Sequence, residues 1–175
     1  MTRPYKEFKE KRLWKRIDYD KTYGYQCVDL IKQYADEVLH LGKIWAIWNA
    51  NKVLQSALFK SFSKLKVNDL MQWDIIVRTR WKYGHIAIVD HIREWRVYVL
   101  EQNGSGKNSW NGLWENAIRV KDYSINWYDV VLRNKTIIKN YENELKVIDE
   151  KIKEYNNNLK NTREYWESIK YEKQD

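Results

Sequence analysis

Apolar residues along the chain change their spacing twice, and each change marks a different kind of element. From Cys27 to Leu39, the residues Val28, Ile31, Ala35 and Val38 recur at the interval of a helix that buries one face. Ahead of it, Lys6 to Ile17 reads as a basic helical lead-in, and Asp18 to Gln26 as a polar loop dense in oxygen atoms. Asn51 to Phe62 is a second helical candidate. From Asp74 the pattern shifts to short β-branched runs: Asp74 to Arg78, His85 to Asp90, Arg96 to Glu101, Ala117 to Val120 and Trp127 to Leu132, with turn-like polar segments between them. Helices first and an antiparallel sheet afterwards is an α+β layout. Alternate strand residues share a face, so Val97, Val99, Glu101 and Asn103 point the same way if the extended run reaches that far.

The second change comes at Asn134. Ile138, Leu145, Ile152, Leu159 and Trp166 recur every seven residues, and Tyr141, Ile148, Tyr155, Thr162 and Ile169 fill the complementary seam. No Pro or Gly interrupts them. This predicts one catalytic domain over 1–133 and a long amphipathic helix over 134–175. The helix either forms a coiled coil that makes the chain a homo-oligomer or folds back on the domain. Asn156 to Asn158, Tyr and Thr weaken its seam.

Composition narrows the picture. A chain of 175 residues with 43% hydrophobic content buries one good-sized core. One cysteine forms no internal disulfide, so folding requires no oxidising compartment. The basic start lacks the apolar core of a signal peptide, and no stretch approaches the ~20 apolar residues that span a bilayer. A product made in the cytoplasm without a Sec signal is expected. The net charge of +8 favours an anionic partner such as nucleic acid, phospholipid or a bacterial wall polymer. No reading helix and no aromatic-basic sheet motif is present, so nucleic acid is not expected.

Candidate chemistry centres on Cys27, the lone thiol, at the mouth of its helix in Tyr-Gly-Tyr-Gln-Cys-Val-Asp. A helix N-terminus and a nearby imidazolium favour the attacking thiolate. In Gly-His-Ile-Ala-Ile-Val, His85 can take the thiol proton and later return it to a departing amine. In Leu-Glu-Gln-Asn, Glu101 can hold the other ring nitrogen, and Asn103 can orient the ring or assist the oxyanion. The backbone N–H of Cys27, with the Gln26 side chain, supplies the simplest oxyanion donors. His40 and His91 lack such context and read as structural.

The loop before the cysteine carries a separate signal. Asp18, Asp20, Thr22, Gly24 and Asp29 stand at positions one, three, five, seven and twelve of a segment spaced like an EF-hand loop. A structural Ca²⁺ site is expected there, pinning the loop beside the nucleophile. Tyr23 occupies the position of the EF-hand glycine, and Asp29 is shorter than the usual glutamate. Without an ion, the same residues make a solvated acidic loop that caps the helix.

In order and spacing, Tyr-Gly-Tyr-Gln-Cys-Val-Asp-Leu, Gly-His-Ile-Ala-Ile-Val and Leu-Glu-Gln-Asn resemble the CHAP domains of phage endolysins and bacterial wall hydrolases, over roughly Lys11 to Arg133. The resemblance implies a papain-like fold. It also implies cleavage of a peptidoglycan amide, between muramic acid and L-alanine or within the peptide stem and cross-bridge. The family's active-site cysteine, histidine, glutamate and asparagine fall on Cys27, His85, Glu101 and Asn103, and several endolysin CHAP domains bind calcium at the loop before the cysteine. Two other classes stay open: a cysteine amidase of this fold acting on a non-wall amide, and a non-catalytic coiled-coil interaction protein.

Ten tryptophans stand against six glycines. Trp48 and Trp73 stand where the family pattern has glycine, as do Trp14, Trp95 and Trp114 on a plausible reading. Glycine belongs in such turns because it enters positive φ without steric cost. These positions are therefore expected to be UGA codons that the source reads as glycine. The alternative is an aromatic surface that stacks on glycan rings.

Overall fold

The computed structural model describes residues 2–44, 47, 49–104 and 117–172. The chain divides into two compact units, Met1–Lys135 and Thr136–Asp175.

The first unit opens with helix α1 (Thr2–Arg12) and, after the polar loop, helix α2 (Cys27–Glu37). Six strands follow: β1 (Phe62–Leu65), β2 (Ile75–Arg78), β3 (His85–Arg93), β4 (Arg96–Glu101), β5 (Arg119–Ser124) and β6 (Val130–Asn134). They form one sheet in the order β1-β6-β2-β3-β4-β5, with every neighbouring pair antiparallel. The α+β layout stands.

Strand alternation explains how the sheet is covered. Ile75, Val77, Ile86, Ile88, Leu100, Val130 and Leu132 face the cluster that holds Val28, Leu30, Ile31, Tyr34 and Ala35 of α2. Their neighbours Ile76, Ala87, Val89, Val97, Val99 and Val131 face a second cluster, closed by Tyr123 and Tyr128. Both faces of the central strands are apolar, which fits their continuous β-branched runs. A bulge between Val89 and His91 turns the end of β3. Next to it, Asp90 accepts bonds from Tyr5 (2.8 Å) and Lys9 (2.7 Å), tying α1 to the sheet.

Two expectations need correction. Asn51 to Phe62 is not a helix of the ordinary kind. It is two 3₁₀ segments, Ala50–Gln55 and Ala57–Ser61, running into β1, because the Ser56 side chain and backbone both bond the Val53 carbonyl and break the run. The lead-in helix also stops at Arg12, well short of Ile17. Trp14 adopts φ 63° and hands its N–H to Ile118, so the chain turns where a helix would end on glycine.

Trp73, at φ 72°, is the third residue of a turn closed by the Asp74 N–H on the Met71 carbonyl, another glycine position. Trp95 follows Glu94, itself at φ 55°, between β3 and β4. Trp48 and Trp114 lie outside the described residues.

The second unit is helix α3 (Lys135–Glu172), 38 residues long. Leu145, Ile148, Ile152, Leu159 and Trp166 are each at least half exposed along it. No helix among the described residues is long and apolar enough to cross a membrane.

Candidate active site

Helix α2 begins at Cys27 because Gln26 is extended (φ −97°, ψ 157°) and its N–H donates to the Asp29 carboxylate at 2.9 Å, the return arm of a capping box. First-turn N–H groups have no acceptor within a helix, so the half-buried thiol sits among donors carrying partial positive charge.

His85 opens β3 directly after Gly84, which adopts φ 72°. A Cβ at Gly84 would stand 2.6 Å from the Asn51 nitrogen and 2.7 Å from the Arg78 oxygen, so only glycine lets the chain turn this tightly into the strand. The pairing Ile88↔Leu100 continues to put Ala87 opposite Glu101, which makes His85 and Glu101 diagonal neighbours on one face. Their contact follows: His85 Nε2 lies 2.9 Å from Glu101 Oε2. Nδ1 is left for the thiol.

Burial pushes the His85 ring toward its neutral form. Hydrogen bonding and charge from Cys27 and from Glu101 outweigh that and carry its pKa up to about 9. Burial likewise favours a protonated Glu101, yet the contacts with His85, Tyr123 and Arg119 hold its carboxyl below the usual range. The Tyr123 hydroxyl donates to Glu101 Oε2 at 2.8 Å, and Arg119 Nε lies 3.3 Å from Oε1. Neither partner was foreseen, since Tyr123 reads as a core aromatic and Arg119 as a strand-surface cation.

Asn103 requires a correction. The extended run ends at Glu101, and Asn103 turns to φ 55°, a conformation asparagine tolerates, so it does not share the strand face. It lines the same cleft as Cys27 and His85, with its Nδ2 3.4 Å from Gln26 Oε1 and its buried Oδ1 accepting no hydrogen bond among the described residues. Gln26 donates its own amide to the Tyr23 carbonyl at 2.8 Å. Gln102, between the two motif residues, does work unseen in the sequence. Fully buried, it donates to the Ile17 carbonyl (2.7 Å) and the Gln26 carbonyl (2.8 Å) and accepts the Ile17 N–H (2.7 Å).

The cleft encloses about 830 Å³ and extends over the acidic loop. Carboxylate oxygens of Asp18, Asp20 and Asp29 lie within 4.8 Å of one another. Oδ1 of both Asp18 and Asp29 is buried and accepts no hydrogen bond among the described residues, an oxygen-rich setting that fits a hard cation. Burial, reinforced by Asp20 and Asp18, raises the Asp29 carboxyl to about 6 against the opposing pull of the Gln26 N–H and Lys32. Thr22 donates its N–H to Asp20 Oδ1 at 3.0 Å and its hydroxyl to the Asp20 carbonyl at 3.2 Å. Gly24, at φ 70°, turns the chain back toward α2. His40 is exposed, while His91 pairs with Asp90 and stacks on Tyr98.

A family model described as CHAP domain matches residues 17–103, the span from the start of the acidic loop to Asn103. Endolysin PlyTW of Staphylococcus phage Twort is 33% identical over 122 residues, covering 61% of this chain. The chain spans 25% of that relative's length. Among solved structures, a wild type endolysin, LysIME-EF1, superposes with a TM-score of 0.57 at 18% identity, over 73% of this chain and 61% of the other, which speaks to the fold alone.

Proposed function

We propose, from the premise that residues 17–103 are a CHAP domain, that this chain hydrolyses an amide bond of peptidoglycan through Cys27, acting as an N-acetylmuramoyl-L-alanine amidase or a stem or cross-bridge endopeptidase. The observation that carries the reading is a thiol and an imidazole lining one cleft, with a fully buried carboxylate 2.9 Å behind the imidazole and held by two further donors. An ion-paired histidine of this kind is what a cysteine nucleophile needs.

The steps follow from the positions. Cys27 Sγ attacks the carbonyl carbon while His85 Nδ1 holds its proton. Glu101 stabilises the imidazolium through Nε2 and stays ionised. The first-turn N–H of Cys27 faces the developing oxyanion, with Gln26 and Asn103 as the side chains near it. His85 then gives its proton to the departing amine, and a water activated by the same nitrogen releases the acyl group from sulfur.

Asp18, Asp20 and Asp29, with backbone oxygens near Thr22 and Gly24, are the groups that hold Ca²⁺ in this reading, where the ion braces the loop beside Cys27. Peptidoglycan is the partner, reached from the cytoplasm of a phage-infected host, and α3 joins copies of the chain through its heptad seam.

The test compares wild type with Cys27→Ala on purified cell walls, in a turbidity assay and a zymogram. Wild type is expected to clear and the variant to lose clearing by at least ~10³-fold. Equal clearing means the thiol is idle. Mass spectrometry of the released muropeptides identifies the bond. Inactivity on walls alongside turnover of a soluble peptide amide moves the substrate away from peptidoglycan.

A further inference from the structure

Lys32 stands where a cation belongs. Its side chain is 2% exposed, and its Nζ lies 2.5 Å from Asp20 Oδ2 and 3.6 Å from Asp29 Oδ1. It follows Asp29 by three positions on α2, so helix geometry aims both at one point. A lysine this deeply buried is stable only against compensating charge, and these two carboxylates supply it. The cluster still has unmet demand. Among the described residues, Oδ1 of Asp18 and of Asp29 accepts no hydrogen bond, and Lys32 neutralises one of the three carboxylates, leaving the charge that a divalent ion would cancel.

We infer that Lys32 is a resident counter-ion of the Asp18–Asp20–Asp29 cluster, which lets the loop fold before any metal arrives and weakens divalent binding by like-charge repulsion. The inference rests on the calcium reading above, and it concerns what this chain does to that site. A bare cluster of three carboxylates within 4.8 Å repels itself and needs its ion in order to fold. With the ammonium inside, the calcium-free loop is a stable state, so calcium tunes the site instead of building it. The same ammonium lines the cleft that holds Cys27 and His85, which puts any change at the cluster next to the nucleophile.

The experiment uses the full chain as wild type, Lys32→Met and Lys32→Arg. Calcium binding is followed by titration calorimetry, and melting is recorded in EGTA and in excess Ca²⁺. Wild type is expected to stay folded in EGTA and to gain little from calcium. Lys32→Met, similar in volume but uncharged, is expected to bind Ca²⁺ at least about tenfold more tightly, to melt at lower temperature in EGTA, and to recover in calcium. Lys32→Arg keeps the charge and should behave as wild type. Should Lys32→Met fail to fold in both buffers, the comparison is made with Lys32→Gln, which keeps a polar end for the aspartates. Equal affinity in wild type and the uncharged variant overturns the inference while leaving the calcium reading intact. No calcium binding by either overturns both.

Discussion

At the scale of single residues, His85 makes the molecule sensitive to pH. Its folded pKa of about 9 lies above the ordinary 6.5, so its contribution to stability is full below about pH 6.5 and is lost as pH climbs through about 9. The shift corresponds to a few kcal/mol. Melting temperature should fall across that window in wild type, and His85→Gln should flatten that part of the decline. In the proposed mechanism clearing activity should drop as pH climbs through about 9 and the ring loses the proton it donates, and a rate that stays flat to about pH 10 sinks the assignment. Trp14 gives a prediction of opposite sign. It is 62% exposed at φ 63°, so its indole has little packing to lose while its backbone is strained. Trp14→Gly should stabilise the protein by about 1 kcal/mol, read from the urea midpoint, and destabilisation would show that the turn prefers the indole. Trp73 is less clean, because its ring packs on Tyr5 and against the core. UGA codons at these positions in the gene would explain the strain, and UGG codons reject that origin. The residues legible in the sequence were those whose type announces chemistry, such as Cys27 and His85. Lys32, Gln102 and Tyr123 were not, because a lysine on a helix, a glutamine and a strand tyrosine gain their roles only from partners that the fold brings to them.

Among the elements, regular periodicity carried most of the information. Helices α2 and α3 follow patterns of 3.6 and seven residues and the central strands follow continuous β-branched runs, and each forms close to where its pattern lies. The misreadings fall where local side-chain bonding overrides periodicity, as at Ser56, or where backbone dihedrals end an extended run, as at Asn103. Strand β1 was hidden because Phe62–Leu65 is only four residues long and its first residue closes the helical candidate, although its pairing with β6 is complete. Helix α3 has the strongest pattern of all and leaves its seam exposed, which water disfavours for residues such as Leu145, Ile152 and Leu159. The full chain should therefore sediment at a multiple of its 21.5 kDa mass, and Leu145→Asp combined with Leu159→Asp should return it to one chain. A wild type that is already monomeric defeats the coiled-coil proposal.

For the molecule as a whole, charge decides how it meets its surroundings. In the proposed role, a net +8 is expected to draw the chain to anionic wall polymers over distances that salt controls, with a screening length of about 8 Å at physiological ionic strength. Wall binding and clearing should both weaken as salt rises above ~0.15 M, while turnover of a small neutral amide should not. Equal salt sensitivity of the two would place the effect in the catalytic groups. The side chain of Gln102 has a consequence for what can be altered in this protein. By grasping the chain on both sides of residues 18–25, at Ile17 and at Gln26, it works as a clasp that fixes where that segment begins and where it returns to the sulfur. Substitutions confined to residues 18–25 should therefore leave the two anchored ends, and the approach of the chain to Cys27, in place.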